Sequence, residues 1–436
     1  MNLSVLKNRN YVLVILGRLV SEFGTYLESF ALSLYVLKKT GSSALFATVI
    51  MVALIPRILL MPFAGVIADK FSRKKMVVRM DILSGLVVMA ACAALYLKGE
   101  LSLGMIYVFV IALNTISVFF TPAMNSMMPD IVEKEKLPDA NSLMEIGAAI
   151  IAVTAPIVAG ILYSGFGLLI ILLFDAISFW LSSLSESFIK IEKESLISKE
   201  NQQSFFSNFK DGIKYIIGMP EFLIIGGVAI IANFALGPIF SIALPVVILK
   251  DFELSETVYG IITALMTIGM FVGPLFAAGI VKKYHYSKLV SFILTMSGVI
   301  CGLIAVSFIK GIFPNLYYNT VIMLVLINML MIIIIWVNLA TTTARQRIVP
   351  GELQGRVSSA VGMVAMMAMP AGQGLMGYLL DYNKSYVIVG IFAVIVLVSG
   401  LLAKVGFAHL ERTGKMQVKA WDDEDRADAI QAEEAV

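Results

Sequence analysis

Long apolar stretches alternate with short polar connections along the whole chain. Because the hydrocarbon core of a bilayer is about 30 Å thick, a spanning helix needs roughly 20 apolar residues. Twelve stretches reach that length between charged or turn-forming boundaries, so the pattern predicts twelve transmembrane helices. They lie near 11–37, 44–68, 76–97, 102–124, 142–164, 167–189, 220–249, 257–281, 289–309, 317–343, 357–380 and 385–408.

Composition supports a membrane protein. Of the 436 residues, 59% are hydrophobic and only 14% are charged, whereas soluble domains are about 25% charged. We therefore expect an all-α integral membrane protein. Lys and Arg are concentrated in alternate connections, and the positive-inside rule then places both termini in the cytoplasm of a multi-pass protein of the cell (plasma or inner) membrane.

The twelve spans divide into two sets of six. The longest polar interruption, 190–219, predicts a cytoplasmic linker between an amino-terminal bundle (1–189) and a carboxy-terminal bundle (220–410), followed by an acidic cytoplasmic tail (411–436). The halves resemble each other at a constant offset, which aligns Gly65 with Gly279 and Pro156 with Pro370. This indicates a duplicated six-helix unit, an architecture that places a substrate path near the repeat interface.

The loop between spans two and three carries the sequence "GVIADKFSRKK". It resembles the signature of the major facilitator superfamily, Gly-x-x-x-Asp-Arg/Lys-x-Gly-Arg/Lys-Arg/Lys, with Ser72 in place of the second Gly. The matching residues are Gly65, Asp69, Lys70, Arg73 and Lys74. The resemblance implies the twelve-helix fold of that family and a gating role for the loop, with the Asp released from the opposite bundle during transport. A plain basic stop signal explains the Arg and Lys residues but not Asp69.

Two further segments resemble one branch of this family. "FFTPAMNSMMPDIVEKEKLPDANSL" resembles the connection between spans four and five of twelve-span exporters such as macrolide-efflux proteins and the enterobactin exporter. "APIVAG" in span five resembles the antiporter motif Gly-Pro-x-x-Gly-Gly, with Pro156 and Gly160 in place. Span four lacks the Arg that many drug antiporters carry, since Asn114 is its one strongly polar side chain.

Span one contains three ionisable groups, Arg18, Glu22 and Glu28. A charged residue at the centre of a spanning helix costs about 2.5–3.5 kcal/mol, so such residues face a partner or a water-filled cavity. At 1.5 Å per residue, Glu22 and Arg57 both lie roughly 17–18 Å from the same surface. Glu22 and Glu28 are therefore candidates for proton coupling or substrate binding, with Arg18 and Arg57 beside them. A static Arg–Glu pair between helices is the alternative, and Asp175 is assigned an internal hydrogen-bonding role.

The carboxy-terminal half offers a contrast. No Asp, Glu, Lys or Arg lies in the interior of spans seven to eleven, and Asn233 aligns with Glu22 in the repeat. Methionines in "MVAMMAMPAGQG" suit a flexible apolar pocket. The candidate cavity residues, with Asn114 from span four, are Asn233, Trp336, Asn338 and Gln373. Coupling chemistry is thus expected in the amino-terminal half.

These features predict a secondary active transporter, with proton-coupled efflux of hydrophobic or amphiphilic compounds, macrolide-like or multidrug, by alternating access. An exporter or flippase of a native metabolite, such as a siderophore or lysophospholipid, is one alternative. A non-transporting membrane receptor or scaffold is another.

No enzyme is expected, because the sequence shows neither a nucleophile with a base nor a metal cluster. An ATP-driven pump is not expected either, because the sequence has no nucleotide-binding signature. Neither the two cysteines nor the two histidines have a metal-ligand spacing, so no metal or cofactor is expected. The expected partners are a small amphiphilic substrate, protons and the lipid bilayer, with no nucleic acid, and the chain is expected to be a monomer.

Overall fold

The architecture is taken from a computed structural model that describes residues 3–191 and 205–416. Residues 192–204 of the predicted linker and 417–436 of the acidic tail lie outside the described residues. The side chains of Asp69 and Lys70 and the surroundings of Gly65 also lie outside them, although the backbone of all three residues belongs to a helix. The described ranges contain helices, turns and loops and no strand.

The chain forms two compact units: Met1–Gln202 with Glu253–Leu265, and Gln203–Phe252 with Met266–Val436. The helices of the first unit are α1 (Arg9–Thr40), α2 (Ser43–Lys70), α3 (Arg73–Lys98), α4 (Leu103–Ile131) and α5 (Leu137–Ser187), with short 3₁₀ turns at Leu3–Lys7 and Lys134–Lys136. The next helices are α6 (Phe205–Gly218), α7 (Pro220–Pro238) and α8 (Leu244–Val246). After them come α9 (Glu256–Met266), α10 (Ile268–Lys283), α11 (Tyr286–Ser307), α12 (Leu316–Ile348), α13 (Gly351–Tyr382) and α14 (Ser385–Arg412). π-helical turns at Ile239–Ala243 and Val247–Asp251 flank α8.

The helix ends follow from local chemistry. The Asn8 side chain accepts hydrogen bonds from the backbone amides of Asn10 and Tyr11, which caps the start of α1. Helices α1 and α3 end at Gly41 and Gly99, whose φ angles of 61° and 74° are left-handed and favour glycine.

Ten helical segments within the described residues are long and apolar enough to cross a membrane. Helix α1 falls outside this set because its charged residues lower its hydropathy. Helix α5 counts once although it contains two spans, which meet at Gly167, where φ is 72° and ψ is −170° and the backbone is not helical. With α1 and the second half of α5, the prediction of twelve spans is confirmed.

The part of the first unit's core that surrounds the start of α1 is rich in methionine. Met124, Met127 and Met128 of α4 pack with Met144 of α5, and unbranched thioethers fill irregular gaps between helices. Tyr11 is fully buried beside them and donates a hydrogen bond from its hydroxyl to the Ala140 carbonyl oxygen at 2.8 Å. These contacts join the start of α1 to the start of α5.

The segment after the first half of the chain contains a helix. Residues 205–218 of the predicted linker form α6, which packs on α13 in the second unit. The polar composition of this segment predicted a linker and not a helix. The apolar residues of α6 lie on one face of the helix, and in the sequence they alternate with polar and charged residues.

Candidate functional site

A cavity of about 600 Å³ lies within the first unit. Helices α1, α2, α3 and α4 supply most of its wall, and Phe179 of α5 completes it. Its charged lining residues are Arg18, Glu22, Glu28, Arg57 and Asp81. The cavity therefore gathers the four charged residues that the sequence singled out, together with one that it did not.

Arg18 and Glu22 form an ion pair within α1. The Arg18 Nε atom lies 3.6 Å from Glu22 Oε2, and the two side chains keep 29% and 26% of their surface exposed. Because the residues are four apart, they share one face of the helix. A partly exposed pair of this kind contributes about 0.3–0.5 kcal/mol, so the contact is weak.

Arg57 lies apart from this pair. It lines the cavity from α2 and interacts electrostatically with Tyr26, which also interacts with Glu22. Among the side chains that the structure describes, no carboxylate lies within ion-pair distance of Arg57. Of the two arginines expected beside Glu22, the structure thus joins Arg18 to the carboxylate and leaves Arg57 as a separate cation in the cavity wall.

Glu28 and Asp81 are the buried acids of the cavity. Their exposed fractions are 4% and 2%. Ser29 donates a hydrogen bond from its hydroxyl to Glu28 Oε2 at 3.3 Å. The sequence did not lead us to predict Asp81 as a cavity residue, because it follows the basic residues of the loop closely. Its position as an acidic residue in the mainly apolar stretch "MVVRMDILSG" is the feature that indicates a buried carboxyl.

The remaining wall is mixed in character. Asn114 lines the cavity and donates from its amide nitrogen to the Val110 carbonyl oxygen at 2.9 Å. Hydroxyls of Thr25 and Ser117 and the rings of Phe120 and Phe179 lie in the same wall. Aromatic and aliphatic surface beside a few polar groups is typical of sites that bind small amphiphilic molecules.

The described part of the signature loop ties α3 to its neighbours. Arg73 is 5% exposed, pairs with Asp130 of α4 at 2.8 Å, and donates to the Ser126 carbonyl oxygen at 3.0 Å. Lys74 donates to the Ser187 carbonyl oxygen at the end of α5. Both basic residues therefore have structural partners, and the gating role of the loop stays a prediction.

Pro156 and Gly160 lie where α5 meets α9. A Cβ atom added at Gly160 would lie 2.6 Å from the Glu256 carbonyl oxygen, so only glycine permits this approach of the two backbones. Close by, Lys38 of α1 forms an ion pair with Glu256. The antiporter-like motif is thus a helix-packing feature here, in line with the small residues that bring membrane helices together.

The candidates in the second unit are outside this cavity. Asn233 donates to the Ala229 carbonyl oxygen at 2.9 Å, and Trp336 donates to the Gly273 carbonyl oxygen at 2.9 Å. Gln373 is 1% exposed and donates to Ser241 Oγ at 3.2 Å, whereas Asn338 is exposed. Their role as a cavity wall stays a prediction.

Within the described residues, no three His, Cys, Asp or Glu side chains are grouped to hold a metal ion. Cys92 and Cys301 are buried and unpaired with each other.

Comparison with known proteins identifies the sequence family. The model of the Major Facilitator Superfamily matches residues 14–372 and 223–430. Macrolide efflux protein A of Streptococcus pyogenes is 23% identical over 360 residues, which are 82% of this chain and 85% of that protein. The uncharacterized MFS-type transporter YkuC of Bacillus subtilis is 25% identical over 419 residues, 91% and 92% of the two chains. The resemblance to the family is thereby confirmed.

Solved structures show the same fold. A bacterial homologue of the iron transporter ferroportin in an inward-facing state has a TM-score of 0.68 and 20% identity, covering 94% of this chain and 99% of that one. The nucleoside transporter NupG has a TM-score of 0.72 and 15% identity, covering 93% and 99%. At this identity the likeness concerns the fold alone.

Proposed function

As a member of the major facilitator superfamily, this chain is a multi-pass membrane transporter, and we propose that it exports hydrophobic or amphiphilic compounds, macrolides among them, in exchange for protons. The observation that carries the proposal is the cavity of the first unit, which combines an apolar and aromatic wall with Glu22 and Glu28. Similarity to macrolide efflux protein A over most of both chains supports the substrate class.

Glu22 is suited to couple substrate to proton. Its carboxylate is partly exposed to the cavity and its partner Arg18 holds it at 3.6 Å through a weak ion pair. Protonation removes the charge that Arg18 attracts, while a cationic or hydrogen-bonding substrate competes for the same carboxylate. Binding of the proton and binding of the substrate then exclude each other, which is the requirement for exchange.

The test uses purified protein in liposomes with radiolabelled erythromycin and an imposed pH gradient. We expect the gradient to drive accumulation by the wild type and by Glu145→Gln, which changes an exposed carboxyl of α5 outside the cavity. Glu22→Gln is expected to lose gradient-driven accumulation while still exchanging labelled for unlabelled erythromycin. Erythromycin accumulation by the wild type that is the same with and without the pH gradient would refute proton coupling.

A second cargo class is favoured by Arg57. Its guanidinium lines the cavity without a carboxylate partner among the described side chains, so it offers a cation to an anionic head group such as that of a lysophospholipid. Transport of labelled lysophospholipid, measured beside that of erythromycin in the same liposomes, separates a native lipid cargo from a drug cargo.

A further inference from the structure

The second half of α5 carries a polar stripe inside an apolar helix. Asp175, Ser178, Ser182 and Glu186 follow one another at spacings of three and four, so they share one face. All four are buried, with at most 1% of their surface exposed. From Asp175 to Glu186 the stripe is about 16 Å long at 1.5 Å per residue, which is half the thickness of a bilayer core.

Glycines of α1 bring that helix against the stripe. A Cβ atom at Gly24 would lie 2.5 Å from Asp175 Oδ1, and one at Gly17 would lie 3.1 Å from Ser182 Oγ. Glu28 lies one turn beyond Gly24, and it interacts electrostatically with Asp175. The face of α1 that bears Glu28 is therefore the face packed on the stripe.

Helix α3 adds a fourth carboxyl to the stripe. Asp81 interacts electrostatically with both Asp175 and Glu186. Four acids from three helices thus meet along one line. We call this set the carboxyl row, made up of Glu28, Asp175, Asp81 and Glu186, with the hydroxyls of Ser178 and Ser182 between them.

Ser182 lies one turn before Glu186 on the same face of α5. Its hydroxyl donates to Glu186 Oε1 at 3.4 Å. A serine hydroxyl donates one hydrogen bond and accepts others, so Ser182 can pass a proton to Glu186 while it receives one from a neighbouring carboxyl.

None of these four acids forms an ion pair with a described Lys or Arg. Arg18 pairs with Glu22 and Arg73 pairs with Asp130. Arg57 lines the same cavity as Glu28 and Asp81 but lies beyond ion-pair distance of both. Asp175 Oδ2, Asp81 Oδ2 and Glu186 Oε2 are buried and lack a hydrogen-bond partner among the described residues. An unpaired buried charge costs several kcal/mol, so protons on the row remove that cost.

One end of the row lies at the cavity and the other lies at the end of α5. Glu28 and Asp81 line the cavity. At the other end, Glu186 adjoins the exposed Ser187, whose carbonyl oxygen accepts a hydrogen bond from Lys74. A path of buried acids therefore connects the cavity to the end of the first unit where α1 begins and α5 ends.

We propose that the carboxyl row is a proton relay between the cavity and this end of the unit. In each step an O–H bond breaks on one carboxyl and an O–H bond forms on the next carboxylate. Ser182 takes a proton on its oxygen as it releases its own, so no charge is lost or gained along the row. The inference deepens the proposed function and rests on its proton coupling.

The experiment compares Asp175→Asn and Glu186→Gln with the wild type in liposomes loaded with a pH-sensitive dye. Glu221→Gln is the matched control, because Glu221 is fully buried and lies in the second unit. We expect erythromycin exchange without a gradient to stay near the wild-type rate in all variants, which also shows that they are folded. Gradient-driven accumulation and erythromycin-dependent proton movement are expected to fall at least about tenfold in the two row variants alone.

Ser182→Ala is a milder second variant that removes the hydroxyl and leaves every acid in place. It is expected to slow proton movement in the same direction. Row variants that couple protons as the wild type does would overturn the relay while leaving proton-coupled export intact. A wild type driven by sodium, or insensitive to the pH gradient, would instead overturn the proposed function and the relay with it.

Discussion

At the scale of single residues, the environment decides what a charged side chain in a membrane helix can do. Glu22 and Glu28 lie on the same helix, yet one is partly exposed beside Arg18 and the other is 4% exposed beside Asp175. The first is open to a substrate in the cavity. The second is placed to pass a proton to the neighbouring helix. Two identical side chains six residues apart therefore belong to different steps of the proposed cycle.

Arg57 is expected to set the charge preference of the cavity. Replacing it in Arg57→Gln removes a cation from the wall, so cationic amphiphiles should bind more tightly and anionic ones less tightly. An interaction of about 1 kcal/mol, usual for partly solvated charges, corresponds to about a fivefold change in affinity. Competition of tetraphenylphosphonium and of an alkyl sulfate against erythromycin transport measures both changes.

Arg79→Gln serves as the control for this change. Arg79 is an exposed arginine of α3 that does not line the cavity, so its removal should alter neither affinity. Equal effects of the two substitutions would show that Arg57 acts through overall charge and not within the cavity.

At the scale of helices, glycines fix how closely α1 packs on α5. Gly17 and Gly24 are seven residues apart on one face of α1, and each touches a polar residue of the carboxyl row. Small residues allow close approach where no side chain fits between two membrane helices. Burial of the row therefore depends on the shape of α1 as well as on the polar residues of α5.

Gly24→Ala is expected to force α1 away from Asp175 and Ser178. The added methyl group would lie 2.5 Å from Asp175 Oδ1, so the helices must separate or the side chains must turn. Overpacking of this kind costs about 1–3 kcal/mol. The melting temperature of the purified protein and its gradient-driven transport should both fall.

The control is Gly226→Ala in α7, where an added Cβ atom meets no heavy atom within 4 Å. This change should leave stability equal or slightly higher, because alanine favours the helix over glycine. If the two alanine variants melted alike, close α1–α5 packing would not limit the stability of the unit.

At the scale of the whole molecule, one segment from the second half of the sequence belongs to the first structural unit. Glu253–Leu265 follows α7 and α8 in sequence but belongs to the first unit. It is held there by the Lys38–Glu256 ion pair and by the backbone approach at Gly160. A transporter that alternates between states is expected to make and break such contacts, whereas a fixed scaffold keeps them.

This contact can be trapped to distinguish a transporter from a scaffold. Cysteines at Lys38 and Glu256, in a chain whose buried Cys92 and Cys301 are replaced by serine, can be joined by a short reducible crosslinker. We expect crosslinking to stop erythromycin transport and reduction to restore it. Each single-cysteine variant is the control, and undiminished transport by the crosslinked protein would contradict alternation at this contact.

The hydrophobic pattern of the sequence determined the twelve spans, because spans of about 20 apolar residues must cross a bilayer as helices. It also determined the Arg18–Glu22 pair, since a spacing of four fixes a common helix face. The loop and span-five motifs indicated the family. Such features depend on neighbours along the chain, which the sequence displays directly.

Tertiary structure alone decided which helix faces meet. Asp81 has no partner close in sequence, and it joins Asp175 and Glu186 only because α3 and α5 pack side by side. Arg73 likewise acquired its partner Asp130 from a helix 57 residues away. Helical periodicity tells which residues share a face, but the identity of the opposite face depends on long-range packing, and the carboxyl row exists only through that packing.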